Sequence, residues 1–424
     1  MTFWYLTISM NLFIKNIAQL VTVASSGGNV KRGPQMGELG VIRNAGVLCR
    51  EGKIVWVGSM ADRSAPIPDE IPELDATGKT VLPGFVDAHT HMMFAGDRSG
   101  EFALRASGAT YQEIAAQGGG ITGTIKHVRS ASKKELKHSA ARYLGEMMKH
   151  GTTAVEIKTG YGLDMDSEVK MLEAINELGN EEIATVVPTF LGAHAVPPEY
   201  RANAGEYVRL IIDRMIPYAG KKKLAAFCDV FCEAGYFDVA QSEAILSAGR
   251  QWGMLPKIHA EELSPLGGAE LAAKLGAVSA DHLEHITGHG IRALSEAGVV
   301  ALLLPGVSFF LNHGYAPARS LIDAGVPVAI ATDFNPGSCM SFSMPLMMTI
   351  ACTHMRMSPE EAITASTLNA AAALNMSSML GSIEPGKNAD IIVADVPDYR
   401  HLAYHFGMNH ITHTIKNGIL LEIP

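Results

Sequence analysis

Short apolar runs alternating with amphipathic stretches set the rhythm of most of the chain. From Val81 onward, apolar or β-branched runs recur at 81–86, 152–157, 184–191, 226–232, 255–258, 278–280, 299–304 and 327–331. Segments such as SEVKMLEAINELG, AGEYVRLIIDRM, AQSEAILSAGRQWG, GAELAAKLG and IRALSEAG lie between most of them. Their apolar positions repeat with the period of a helix, and several end in the glycine that terminates one. Eight strand–helix units spread over the 254 residues from Val81 to Phe334 match the usual size of a (β/α)8 barrel, about 250. A doubly wound open sheet is the alternative, but no Gly-rich phosphate loop follows any of the strands.

The two ends read differently. Up to about residue 80 the pattern is one of short strands, and AGVLCREGKIVWVG has two apolar runs flanking Arg50, Glu51 and Gly52, as a hairpin requires. Residues 25–37, rich in Gly, Ser, Lys and Pro, read as an exposed loop. GSIEPGKNADIIVAD (381–395) and THTIKNGILL (412–421) are again turn-separated strands. This divides the chain into 1–80, 81–375 and 376–424, with the two terminal pieces as parts of one small β domain. The opening MTFWYLTISMNLFIKN is apolar but lacks the basic stretch and cleavage site of a signal peptide, and reads as an extension into a first strand. Met10 serves equally well as a start. The longest inland apolar run, 297–304 continuing to 311, is broken by Pro305, Gly306 and Ser308, so no transmembrane helix is expected. After the eighth strand come two helices, the second capped by Ser358 with Pro359 in its first turn. The methionines of the first read as adaptable core packing.

Polar chemistry collects where the strands should end. Strand one runs out at His89 and His91, strand two at Tyr161, strand three at His194, strand five at His259 and Glu262, strand six at His282 and strand eight at Asp333. In a (β/α)8 barrel these ends share one face, the face that carries active sites. His89 and His91 are two residues apart, which in an extended segment turns both imidazoles the same way. His89, His91, His259 and Asp333 together make a three-imidazole, one-carboxylate set that leaves room for water on a single divalent ion. Zinc and iron both accept such ligands. Glu262, three residues beyond His259, is placed to carry a proton from the attacking water to a leaving nitrogen. His282 is placed to polarise the substrate carbonyl, and Asp333 either to ligate the ion only or also to accept the water proton. The Asp87–His91 stretch resembles metal-dependent hydrolases whose two-metal members bridge the ions with a carboxylated lysine at the end of strand four; the predicted fourth strand here, AAFCDVFCE, has no lysine, so that resemblance implies one metal per subunit. Cys228 and Cys232 read as buried packing, and His401, His405, His410 and His413 as strand and loop histidines.

Composition narrows the partners. The 424 residues are 47% hydrophobic and 18% charged with a net charge of −9, which argues against nucleic acid or an anionic membrane and makes a small anionic substrate dependent on a local cation. Five cysteines in no zinc or disulfide spacing suit a reducing cytoplasm.

The run PGFVDAHTH and the later PGKNADIIVAD resemble the metal-dependent amidohydrolase superfamily. HTHMMFAGDRSGEFALRASGATYQEIAAQGGGITGT, EIKTGYGLD, TFLGAHAVPPEY, SADHLEH and TDFNPGSC are similar, more narrowly, to the imidazolonepropionase family. The resemblance implies a (β/α)8 barrel with a composite β-sandwich built from both chain ends. It implies hydrolytic ring opening of 4-imidazolone-5-propanoate to N-formimidoyl-L-glutamate in histidine degradation, and a homodimer is common among such proteins. Arg98 then pairs with the propionate, Tyr161 and His194 match positions contacting ring and tail, and Asn335, Gly337 and Ser338 match positions closing over substrate or product. Gly118 to Gly120 would let backbone approach closely. An aminohydrolase acting on a purine, pyrimidine or related heterocycle is the second reading, because the same ligand set supports deamination. A metal-free scaffold is the third, and no missing ligand favours it.

Overall fold

The computed structural model describes residues 10–25, 27–62, 70–109 and 119–421. The N-terminal extension before Met10 and Gly118 lie outside the described residues. Eight parallel strands follow one another around a barrel: β6 (Phe85–Asp87), β7 (Thr152–Lys158), β8 (Thr185–Ala193), β9 (Phe227–Cys232), β10 (Leu255–Ala260), β11 (Ser279–His282), β12 (Val300–Leu303) and β13 (Val328–Ile330). Each pairs with its neighbour in sequence, as short right-handed crossovers require. Several helices, two in the barrel crossovers and one after the last barrel strand, carry the caps that their first residues announce. Ser132 with Glu135, Asp238 with Gln241 and Ser358 with Glu361 form reciprocal capping boxes, each worth about 1 kcal/mol.

The last and first barrel strands do not pair as a ladder. The seam closes just beyond them instead, through Asp333 N donating to the His89 carbonyl (3.0 Å), His91 N to the Phe334 carbonyl (3.0 Å) and a parallel bridge between Thr90 and Phe334. Below this, Asp87 accepts from Thr332 N (3.1 Å) and Thr332 Oγ1 (2.6 Å). The backbone that carries three of the proposed metal donors is therefore the backbone that closes the barrel.

A second, mixed sheet unites the chain ends in the order β16–β15–β14–β5–β1–β2–β3, with β4 also on β1. Its strands are β1 (Leu12–Val21), β2 (Val41–Arg50), β3 (Lys53–Ser59), β4 (Glu73–Asp75), β5 (Thr80–Pro83), β14 (Ile391–Ala394), β15 (Ile411–Lys416) and β16 (Ile419–Leu421). They enclose a core of their own that includes Ile14, Ile17, Val47, Val81, Ile391 and Ile415.

Three expectations are corrected. The run 81–86 is not one strand: β5 ends at Pro83 in the second sheet, and β6 starts at Phe85 in the barrel. Gly84 lies between them against Thr153, where a Cβ would approach Oγ1 to 2.4 Å, so no side chain fits at the crossing. Residues 25–37 are not uniformly exposed: Lys31 and Met36 are buried, and Asn369 pairs with both the N–H and the carbonyl of Lys31, at 2.9 Å each. His401 stands on a helical turn, His401–Tyr404, stacked on His405 at 4.8 Å, rather than on a strand or loop. Cys228, Cys232 and most of the methionines around 344–357 are buried packing. No helix among the described residues is long and apolar enough to cross a membrane.

Candidate active site at the barrel mouth

The barrel mouth brings four donors together. Nε2 of His91 lies 3.2 Å from Nε2 of His89 and 3.5 Å from Nε2 of His259. Asp333 Oδ1 lies 3.5 Å from His89 Nε2 and 3.4 Å from His91 Nε2, and has no hydrogen-bond partner. Donors sharing one tetrahedral ion at about 2.0–2.1 Å stand about 3.3 Å apart, so these spacings fit residues that could share one ion. The protonation chemistry agrees. Burial first, then Lys158 and the neighbouring histidines, holds His89 well below its ordinary value, and burial with His194 and His259 does the same for His91. Neutral imidazoles facing one another through Nε2 offer lone pairs to a cation. Burial, reinforced by Glu262, pushes Asp333 well above the usual carboxylate range, so a positive charge here is what would favour its ionised form.

What orients the imidazoles is a buried ionic network that reading the sequence missed. Asp281 Oδ2 accepts from His89 Nδ1 at 2.7 Å, and Asp229 Oδ1 lies 3.1 Å from His259 Nδ1, which leaves both Nε2 atoms for the centre. Lys158 Nζ reaches Asp229 (2.7 Å), Glu156 (2.9 Å) and Asp281 (3.6 Å), while Lys257 Nζ reaches Glu156 at 2.8 Å. All five side chains are fully buried. Burial opposes the Lys158 charge, but the three carboxylates raise its pKa regardless; burial likewise opposes ionisation of Asp229, but His259 and Lys158 hold it well below its ordinary value. The network also grips the His89–His91 backbone, since Lys257 Nζ donates to the Ala88 carbonyl (2.9 Å) and Lys158 N to the Thr90 carbonyl (3.0 Å). One signal was available: Glu156 with Lys158, and Lys257 with His259, are charged or polar pairs two apart in otherwise apolar strands, hence on the inner face.

The remaining candidates lie around this centre. His282 Nε2 is 3.6 Å from Glu262 Oε2, and its Nδ1 is buried without a hydrogen bond, 3.8 Å from Glu284 Oε2. Burial first, opposed by His259, raises Glu262 to about 7. His194 stacks on His91 (4.9 Å, 18°) and its Nδ1 meets the Gly160 carbonyl at 3.0 Å; burial brings it down to about 3. Asn335 ties the loop after β13 together: its amide donates to the Asp333 carbonyl (2.7 Å) and Ser338 Oγ (2.6 Å), and its Oδ1 accepts from Gly337 N and Ser338 N (2.8 Å each). Backbone strain gathers on this rim, where Glu261, His282, Leu283 and Asp333 all have φ between 50° and 78°.

Two connected spaces lie over the donors. A cavity of about 470 Å³ is lined by His91, Tyr161, His194, His259, Glu262, His282, Asp333, Asn335 and Ser338. A smaller one of about 190 Å³ shares Tyr161, His194, Asn335 and Ser338 and adds Arg98, Glu101 and Gly337. Of these two spaces Arg98 and Gly337 line the smaller, and Arg98 also lines a neighbouring space of about 270 Å³ with Phe94, Phe102 and Phe310. Gly120, with φ of 74°, is brought there by its N–H, which donates to Glu101 Oε1 at 3.0 Å.

Residues 80–421 match the amidohydrolase family. The chain is 50% identical over 410 residues to the imidazolonepropionase of Geobacillus sp. (strain WCH70), covering 96% of this chain and 97% of that one. The chain belongs to the imidazolonepropionase family of amidohydrolases. The imidazolonepropionase of Porphyromonas gingivalis (strain ATCC BAA-308 / W83) is 48% identical over 412 residues, 97% of each chain. Among solved structures, a triazine hydrolase variant superposes with a TM-score of 0.76 at 17% identity, covering 97% of this chain and 94% of that one. E. coli guanine deaminase does so with a TM-score of 0.74 at 16% identity, covering 98% and 99%. These two likenesses speak for the shared fold alone.

Proposed function

We propose that the chain hydrolyses 4-imidazolone-5-propanoate to N-formimidoyl-L-glutamate, the ring-opening step of histidine degradation. The observation that carries this reading is near-full-length identity to imidazolonepropionases, joined to a metal-competent donor cluster that opens into a pocket. His89, His91, His259 and Asp333 hold one divalent cation, zinc or iron, and a cation so held activates a water and polarises a carbonyl oxygen. Glu262, as a carboxylate, takes a proton from the attacking water and delivers it to the departing ring nitrogen. His282, neutral through burial, donates its one N–H to the oxygen on which negative charge develops. Tyr161 and His194 bound the ring, Arg98 serves the carboxylate tail, and Asn335, Gly337 and Ser338 fix the loop that closes the site. Water attacks the ring carbonyl carbon, the carbon–nitrogen bond breaks, and the nitrogen leaves still attached to the formimidoyl carbon, so no ammonia is released.

The partner is this small molecule, with neither nucleic acid nor membrane involved, and the protein works in the cytoplasm as a homodimer. The test follows ring absorbance and free ammonia together as the metal-loaded protein meets freshly prepared imidazolonepropionate. Loss of absorbance without ammonia, abolished by a chelator and restored by zinc or iron, is the expected result. Ammonia release would transfer the assignment to an aminohydrolase, and inertness with metal bound would overturn it.

A further inference from the structure

The loop between β7 and the helix Met165–Glu181 has its backbone gripped from two sides. On the N–H side stands Glu168, buried in the first turn of that helix. Its Oε1 accepts from Gly160 N (3.2 Å), Gly162 N (2.9 Å) and Leu163 N (2.9 Å), and the carboxylate also takes a hydrogen bond from the Thr159 side chain. An ionised carboxylate offers acceptors and no donors, which suits converging N–H groups. On the carbonyl side stands Arg129, from the helix Ile121–Ser130. Its Nε donates to the Gly162 carbonyl (2.7 Å) and its Nη2 to the Leu163 carbonyl (3.2 Å), while the guanidinium pairs with Asp164 (2.8 Å) and Glu199 (2.7 Å).

Local preference alone would not hold this loop. Gly160 has φ of 105° and Leu163 sits in the left-handed region at 52°. A Cβ on Gly160 would come within 2.9 Å of His194 Nδ1 and of the Leu191 carbonyl, so the backbone passes where no side chain fits. Two features of the pocket wall depend on that conformation. Tyr161, buried, lines both spaces over the donors with its ring centroid 5.4 Å from that of His194. The Gly160 carbonyl meets His194 Nδ1 at 3.0 Å. A carbonyl can only accept, so Nδ1 carries the proton and Nε2 of the neutral ring keeps its lone pair. Thr159 ties the same loop to β8, because Leu191 N donates to its Oγ1 at 2.9 Å. Glu168 and Arg129 themselves line neither space, so whatever they do for a ligand they do through this loop.

We infer that Glu168 and Arg129 are positioning residues for the ring-binding wall. By gripping residues 159–164 they place Tyr161 and fix the Gly160 carbonyl, which in turn makes His194 present Nε2 as a hydrogen-bond acceptor. The inference rests on the ring-opening reading for what the wall binds and deepens it. Both residues stand outside the bond-making steps, so their loss is read in binding rather than in turnover.

The experiment compares zinc-loaded full chains of wild type, Glu168→Met, Glu168→Gln and Arg129→Gln. Calorimetry measures the binding of imidazolepropionate, steady-state kinetics the turnover of imidazolonepropionate, and nitrogen-15 spectra of labelled histidines the tautomer of His194, whose signals are found by their loss in His194→Gln. Glu168→Met strips the loop of its acceptor and should weaken binding about 10-fold or more, while Glu168→Gln, which keeps one oxygen for the N–H groups, should recover part of the loss. Arg129→Gln loosens the loop from its partly exposed side and should cost about 3- to 10-fold in affinity, so it decides the matter if Glu168→Met fails to fold. In each folded variant KM should rise with kcat within a few-fold of wild type, and the single Nδ1–H tautomer of wild-type His194 should become a mixture. The affinity loss of Arg129→Gln should shrink in a His194→Gln background, because the two act in series. Lowered stability with unchanged affinity, a fall in kcat at unchanged KM, full additivity with His194→Gln, or a wild-type His194 protonated on Nε2 overturns the inference. Should the wild type fail to open the ring, the ring-opening reading falls, while the His194 tautomer in the ligand-free variants still decides the role of Glu168 and Arg129.

Discussion

The two halves of the site are held by different physics. On the metal side, the donors sit at strand ends over five fully buried charges whose partners are fixed from several strands at once, as with Lys158 between Glu156, Asp229 and Asp281. On the tail side, the charges belong to one short helix and its N-cap, facing the uncharged Asn335–Ser338 loop, and the Arg98–Glu101 pair keeps 16% and 19% of its side-chain surface exposed. A buried network is costly to assemble and costlier to break, because removing one member strands the rest. A pair that keeps some contact with solvent exchanges partners at smaller cost than a fully buried one. On the proposed function, chemistry that tolerates little displacement rests on the first kind of support, and recognition that has to let a carboxylate in and a product out rests on the second.

The sharpest way to break this contrast is Lys158→Met, which leaves Asp229 and Glu156 buried without their shared cation. Loss of about 3–5 kcal/mol of stability in chemical denaturation is expected, and a change below 1 kcal/mol would refute the over-determined core. Next, Glu262→Gln should lower kcat by about 10²- to 10⁴-fold with little change in metal content. The pH profile adds a sign. Glu262 acts as a carboxylate, and burial raises it to about 7, so kcat/KM should fall as the pH drops towards and through that region, well above the ordinary glutamate value of about 4.3. A bound cation draws this limb lower, and the limb should vanish in Glu262→Gln. Asp281→Asn, which disturbs the orientation of His89, should weaken metal affinity about 10- to 100-fold in a competition titration while leaving the fold intact. At the small end, Glu101→Gln frees Arg98 at the cost of one partly exposed pair. It should shift stability by less than about 1 kcal/mol and KM by only a few-fold; a collapse of activity would show that the tail side is as rigid as the metal side.

Local pattern determined a good deal. The spacing of apolar runs was enough for eight barrel strands, because a strand buried on both faces announces itself through its own residues. Ser358 and Glu361 marked a helix start because a capping box is made by neighbours in sequence. That His89, His91, His259 and Asp333, the proposed donors, come together was legible because strand ends in this fold share one face. Other features depended on contacts between residues far apart in the chain. That Pro83 belongs to one sheet and Phe85 to another depends on the approach of Gly84 to Thr153. Asp229 and Asp281 became the orienting partners of His259 and His89 only once strands 30 and 192 residues away were laid alongside. Arg98 and Arg105 look alike in a linear reading. Only the folded arrangement, with Glu101 against one and Phe310 beneath the other, separates an arginine paired with a carboxylate from one stacked on a ring, because the energy of a charge is set by what surrounds it in space.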